Sequence, residues 1–279
     1  MLAQAYITEW SAGAPWPDPV QVEQDLILSR LLIEAANDRL LGEALAFRGG
    51  TCLHKLHLAS PVRYSEDLDY VRTDSEPRLG AIFDAFRSIA NGIGLREHRR
   101  KFPSQESDMG TIWFDADPTE GPGLIRIKIE SNVAETEPFL PRVTRSYKID
   151  SRWWSGEAEI PTFELDDLLG TKLRALYQRR KGRDLFDLWI ALTRLQVNDR
   201  QIAAALTHYM KDRVFTYPQL RRNLQVKFLD PIFSDDIAGL LIEIPEAYDA
   251  YKAAQLVLER LGVQLQNAPG EGEAVSILD

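Results

Sequence analysis

Cysteine is all but missing from this chain of 279 residues. Cys52 stands alone, which excludes an internal disulfide and a cysteine-built zinc site. Long apolar runs are missing too. The longest, Ile202–Leu206 and Ala238–Ile242, fall far short of the ~20 residues that span a bilayer, so no membrane partner is expected. The opening MLAQAYITEW has no basic region and no long apolar one. No secretory leader is therefore expected, and the cytoplasm is the expected compartment. An excess of positive charge is also lacking: 33 Lys and Arg face 42 Asp and Glu, for a net charge of −9. That balance argues against a protein that coats nucleic acid non-specifically. It leaves open nucleic acid met at one local basic patch, or a partner with a basic face. Apolar residues make up 44% of the chain, enough for a packed core, so wholesale disorder is excluded. No internal repeat and no low-complexity tract is present.

Hydrophobic spacing divides the chain in two. Asp18 and Pro19 read as N-cap and first helical residue of a helix running to about Leu45. A short strand, Ala44–Phe47, then meets the turn Arg48-Gly49-Gly50-Thr51, which opens a helix through Leu58. Ser65–Val71 alternates as a half-buried strand does, and Leu79–Ile89 is helical. Strand signals follow at Leu95–Phe102, Gly110–Asp115, Leu124–Asn132 and Val143–Ile149. From Glu164 the pattern becomes helical: 164–180, 183–195, 199–210, 217–228 and 244–261. The expectation is an α+β lobe over 1–160, a helical lobe over 161–265 and a disordered tail over 266–279. Trp153 and Trp154 are expected to pack at the lobe boundary.

The chemistry concentrates in four places. Gly49 and Gly50 leave the backbone open at a strand-to-helix turn, where helix N–H groups suit a phosphate. Thr51 can cap that helix or meet a phosphate oxygen. Asp67 and Asp69 are two apart on a strand, so both leave the same face with Cα atoms about 6–7 Å apart. Two such carboxylates can converge on Mg²⁺, which prefers oxygen ligands and substrate phosphates. On the next alternating strand, Ile125, Ile127 and Ile129 point to the core, while Arg126, Lys128 and Glu130 share the other face. Glu130 can complete a carboxylate triad, or it belongs to an exposed edge strand of mixed charge. Lys55 can approach phosphates or Asp67 across the turn. His54 and His57 are read as core or helix-surface residues.

The fourth place is a basic run. Six Lys and Arg fall between Lys172 and Arg183, with no acid among them. Lys172 and Arg179 are seven apart and share a helix face. Gly182 can end that helix and let the next one begin. In the next helix Leu185, Leu188, Trp189 and Leu192 make the apolar stripe, Asp184 lies at its border, and Asp187 is expected further toward solvent. An RNA acceptor would be expected to meet this run through Arg179 and Arg180, with Arg99-Arg100-Lys101 and Arg221-Arg222 as extensions.

In this order, Gly49-Gly50-Thr51-x-Leu53-x-Lys55, Arg63-Tyr64-Ser65-x-Asp67-Leu68-Asp69, a strand carboxylate, and Lys172-x-x-Ala175-Leu176-x-x-Arg179-x-Lys181-x-Arg183-Asp184-x-x-Asp187-Leu188 resemble the AbiEii/MenT nucleotidyltransferases. These are toxins of bacterial toxin–antitoxin and phage-defence modules, built on a DNA polymerase β-like nucleotidyltransferase core. The resemblance covers about residues 40–195. It implies that Gly49, Gly50 and Thr51 hold the triphosphate, that Asp67 and Asp69 bind metal, and that Lys172 grips the nucleotide. The late catalytic acid falls on Asp184 or Asp187, with Asp184 favoured. Ser65, just ahead of the acidic pair, is close enough to the metal that modifying it should block the site. Thr51 stands where many relatives have Ser, a mild departure.

The resemblance therefore implies a Mg²⁺-dependent, monomeric enzyme that moves a nucleoside monophosphate from an NTP to the 3′ end of tRNA, restrained by a separately encoded antitoxin. Transfer to a protein or small-molecule hydroxyl, a metal-dependent nuclease and a non-catalytic interaction module remain the alternatives. Lys128-Ile129-Glu130 reverses the Glu-x-Lys order common in nucleases, which counts against that one.

Overall fold

Alternating side chains build a sheet only when one face finds cover, and here two helices supply it. The computed structural model describes residues 2–211, 215–241, 245 and 247–265. Seven strands form one sheet: β1 (Leu45–Arg48), β2 (Asp67–Arg72), β3 (Arg96–Lys101), β4 (Met109–Ala116), β5 (Ile125–Asn132), β6 (Val143–Asp150) and β7 (Ser155–Thr162). Their order is β3-β4-β5-β2-β1-β7-β6. β2 runs parallel to β5 and β1 parallel to β7, while the remaining neighbours are antiparallel. The mixed sheet with its helices is the expected α+β fold.

The chain contains two compact units, Met1–Phe163 and Glu164–Asp279. The first holds the sheet with α1 (Gln4–Trp10), α2 (Pro19–Asn37), α3 (Arg39–Ala44), α4 (Gly49–Cys52), a π-helical turn Leu53–His57 and α5 (Leu79–Gly92). Asp18 caps α2 as the sequence predicts, accepting from the Val20 N–H at 2.8 Å. The single helix expected to Leu45 is corrected. Asp38 leaves the helical region and its carboxylate accepts from the Leu41 N–H at 2.9 Å, starting α3. A local cap thus competes successfully with helix continuation. α2 packs on β7, β5 and β6, and α5 on β3 and β4. Phe47, Phe83, Phe86, Phe114, Ile112, Ile125, Ile127 and Ile129 are fully buried in this core.

β7 carries a weak apolar signal, with Ala158 and Ile160 as its inward positions, and it is missing from the expected strands. Trp153 and Trp154 lie in the turn before it, within the first unit. The Arg30 guanidinium sits 4.8 and 5.2 Å from their ring centroids. They thereby anchor the β6–β7 hairpin on α2.

The second unit is helical: α6 (Leu165–Gln178), α7 (Gly182–Arg194), α8 (Asp199–Met210), α9 (Tyr217–Phe228), α10 (Pro231–Asp235) and α11 (Ala250–Arg260). α10 is too short to show periodicity in the sequence; Asp230 caps it through the Ile232 N–H. α11 begins at Ala250, where Asp249 caps it, not at 244. Residues 242–244 and 246 lie outside the described residues, as does the tail from 266. Gly182 begins α7, as the sequence allows, where a Cβ would collide with the Phe233 carbonyl; α6 has already ended at Gln178. Among the described residues no helix is long and apolar enough to cross a membrane.

Burial, and then the nearby Arg145, lower the His57 imidazole to about 4. In an unfolded chain histidine titrates near 6.5, within ~1 unit. Between those values the unfolded chain takes up a proton that the native chain refuses. Stability should therefore fall as pH falls from about 6.5 toward 4. Urea unfolding across that window should show a shallower decline in His57→Gln; equal slopes in both proteins would remove His57 as a cause.

Candidate active site

The site of the first unit is built where β1 ends. Gly49 has φ +87, a left-handed conformation, and a Cβ there would collide with the Asp69 side chain. Glycine is therefore required twice, for the turn and for the close approach. The Thr51 hydroxyl is committed rather than turned outward. It donates to the Asp67 carbonyl at 2.6 Å and lies 2.7 Å from the Ser65 hydroxyl. This corrects the expectation that Thr51 caps the helix: its hydroxyl ties the glycine turn to the start of β2, and α4 has no side-chain cap.

Strand register then assembles the acids. Asp67 is paired with Lys128, and Asp69 with Glu130, on the parallel neighbours β2 and β5. Lys128 Nζ lies 2.8 Å from Asp67 and 3.2 Å from Glu130. Burial first, and then Asp69, push the Asp67 carboxyl up to about 7, while Lys128 pulls the other way. Burial and Asp69 likewise push Glu130 up. Burial works against the Lys128 charge, but Asp67 and Glu130 outweigh it and raise its pKa. The face is thus crowded with negative charge that one ammonium partly offsets. Among the described residues no three His, Cys, Asp or Glu side chains already stand together as a metal cluster. The donor set, oxygen atoms of Asp67, Asp69 and Glu130 on one face, nonetheless fits a hard divalent cation.

Lys55 departs from expectation. Its Nζ lies 2.7 Å from Asp25 and donates to the Ser29 hydroxyl at 2.8 Å, both on α2. Asp25 also accepts from the Trp10 indole at 2.9 Å. Lys55 therefore pins the helix after the glycine turn to α2, and its contacts are not with Asp67.

The second unit gathers the late motif. Lys172 lies 2.7 Å from Asp187 and 3.5 Å from Asp184, with 5% of its side chain exposed and both acids fully buried. Asp187 is not directed toward solvent, because α7 is buried on every side from Asp184 to Leu192. Arg179 reaches Asp184 through two hydrogen bonds, of 2.6 and 2.8 Å. Burial works against the Asp184 charge, yet Arg179 and Lys172 outweigh it and hold its carboxyl below the usual range. Arg179 is thus anchored at Asp184 while half of its side chain stays exposed. Lys227 donates to the carbonyls of Leu176 and Tyr177, closing the end of α6.

Two contributors escaped the sequence reading. Lys128 was only a charge on the polar face, and its placement between two acids depends on register. Arg48 pairs with Glu135 at 2.5 Å beside the glycine turn, across 87 residues of sequence.

The AbiEii nucleotidyl transferase toxin family, of type IV toxin–antitoxin systems, matches residues 30–261. The chain belongs to this family. It is a nucleotidyltransferase, and the resemblance read from its motifs is borne out. Among solved structures it is similar to MenT4, a nucleotidyltransferase toxin from Mycobacterium tuberculosis H37Rv. Identity is 16%, the TM-score is 0.60, and the match covers 95% of this chain and 90% of that one. It is also similar to JHP933 from Helicobacter pylori at 17% identity and a TM-score of 0.51, covering 88% and 89%. At these identities the likeness is one of fold. No curated protein matches.

The geometry of this AbiEii-family chain separates two lysines of the basic run. Lys172→Ala leaves two buried carboxylates short of a cation and should cost about 3–5 kcal/mol. Lys181, half-exposed and 3.4 Å from Asp236, should cost less than about 1 kcal/mol when changed to Ala. Denaturant midpoints for the two variants check this; equal midpoints would show that the buried cluster does not need Lys172.

Proposed function

We propose that the protein transfers a nucleoside monophosphate from an NTP to the 3′-terminal hydroxyl of tRNA, with Mg²⁺ held by Asp67, Asp69 and Glu130. The observation that carries this reading is the register that sets Asp69 beside Glu130 and Asp67 beside Lys128, next to a turn only glycine can make. When bound, the cation supplies charge to offset the phosphates and lowers the pKa of the attacking hydroxyl. Gly49 and Gly50 offer backbone N–H groups to the triphosphate beside the acids. The family resemblance gives Lys172 the nucleotide-gripping role and favours Asp184 over Asp187 as the late acid; within the second unit both acids hold Lys172. The expected acceptor follows from the family, in which nucleotides added to tRNA prevent aminoacylation and a separate antitoxin restrains the toxin.

Ser65 supports regulation at the same place. Its hydroxyl touches Thr51, one residue pair from Asp67. A modified Ser65 would carry bulk, and with phosphate also charge, against a face already too negative.

Pure protein incubated with tRNA, each labelled NTP and Mg²⁺ should place label on tRNA. Asp69→Ala should lose at least about 10³-fold in transfer while unfolding at or slightly above the wild-type midpoint, because removing one of several like charges relieves repulsion. Near-wild-type transfer by folded Asp69→Ala would remove the assignment. Label on protein, or shortened RNA, would redirect the acceptor or the chemistry.

A further inference from the structure

The polar face of the sheet does not stop at the carboxylates. Residues directly opposite one another on neighbouring strands share a face. Asp67 is opposite Lys128, Lys128 opposite Trp113, and Trp113 opposite Arg99. The next row runs Asp69, Glu130, Thr111, Lys101. Ile112, Phe114, Ile127 and Ile129 take the other face and are fully buried. Trp113 is thus a large aromatic on the charged side of β4, only half-buried. The Arg99 guanidinium lies over its ring, 4.0 Å from the centroid. Strands are ~4.8 Å apart, so Trp113 stands about 10 Å from Asp67, and the row continues to the sheet edge.

Charge on this stretch opposes that of the whole chain. Arg99, Lys101 and Arg126 are exposed and Lys128 is half-exposed. The acids on the same face are Asp67 and Glu130, which hold Lys128, and Asp115, which holds Arg126 at 2.9 Å and His98 at 3.2 Å. An aromatic ring, a guanidinium plane and flanking cations are the means by which proteins hold single-stranded nucleic acid without reading its sequence. In the basic run of the second unit, Lys172 and Arg179 are engaged by buried acids, while Arg180 and Lys181 stay exposed.

We propose that this face binds the single-stranded 3′ end of the nucleic-acid acceptor, one base stacked on the Trp113–Arg99 pair and its phosphates met by Lys101. The proposal rests on RNA being the acceptor, and it adds where the RNA lies. The strand end enters from the β3 edge and its terminal hydroxyl points toward Asp67 and Asp69. Trp113 is a positioning residue for the acceptor, not for the NTP.

The test is binding without chemistry. Full-length protein is titrated into a fluorescein-labelled short single-stranded RNA, without NTP, at several salt concentrations, and transfer kinetics are measured separately. Trp113→Ala should weaken RNA binding roughly 5- to 150-fold, and Trp113→Phe should recover most of it. The RNA KM should rise with little change in the NTP KM. Arg99→Ala with Lys101→Ala should flatten the salt dependence by roughly 0.7 for each phosphate that is no longer neutralised. Should Trp113→Ala not fold, the Arg99/Lys101 pair, whose side chains are exposed, decides through that slope. Unchanged affinity in Trp113→Ala, an unchanged slope in the pair, or no RNA binding by wild type would each overturn the proposal. Binding that depends on Trp113, with no label reaching any RNA, would keep the binding face and overturn the acceptor reading instead.

Discussion

Three carboxylates held on one face of two neighbouring strands repel one another, and much of the first unit exists to keep them there. β2 and β5 are parallel, and their register, not loop conformation, sets Asp69 opposite Glu130 and Asp67 opposite Lys128. The glycine turn presses against Asp69, and Thr51 ties that turn to the first residue of β2. Among the described residues, Lys128 is the cation that directly bridges the acids. Each device fixes position without removing the charge. Under the proposed function, a cation bound there would relieve that repulsion.

The second unit solves the opposite problem. Two fully buried acids on α7 would be intolerable alone, and Lys172 and Arg179 from α6 and its end neutralise them. The result is a stiff group in which each charge determines the direction of the next. Lys55 and Asp25 repeat the arrangement beneath the glycine turn, with burial opposing the lysine charge and Asp25 restoring it. Both units therefore orient their cations with buried carboxylates.

What was legible in the sequence follows from how local each cause is. The Gly49-Gly50 turn, the Asp67/Asp69 spacing and the alternation of β5 are short-range patterns, and they read correctly as geometry. The helix stripe of α7 read correctly for its leucines but misled for Asp187, because a stripe argument assumes a solvent face and α7 has none there. Thr51 and Lys55 were misjudged for a related reason: their partners, the Asp67 carbonyl and Asp25, lie 16 and 30 residues away. Lys128 and Arg48 depend on strand order and on an 87-residue separation, which no local pattern encodes. β7 was missed since pairing on both sides, with β1 and β6, carries it where its own apolar content is thin.

Strand β3 shows how one element can serve two purposes. Its sequence, Arg-Glu-His-Arg-Arg-Lys, contains no apolar residue, and as an edge strand it would otherwise invite pairing with another chain. Charge on both faces prevents that. On the face toward α5, Arg100 is fastened to Glu97 at 2.7 Å and Asp84 at 2.8 Å, so its charge holds the strand to the helix. The register shift between Glu97 and Arg99 then sets Arg99 opposite Trp113 on the other face. Edge protection alone would be satisfied by any scattered lysines. It does not require a cation aligned over an aromatic ring in the same cross-strand row as Asp67, and that alignment is what the proposed acceptor face uses.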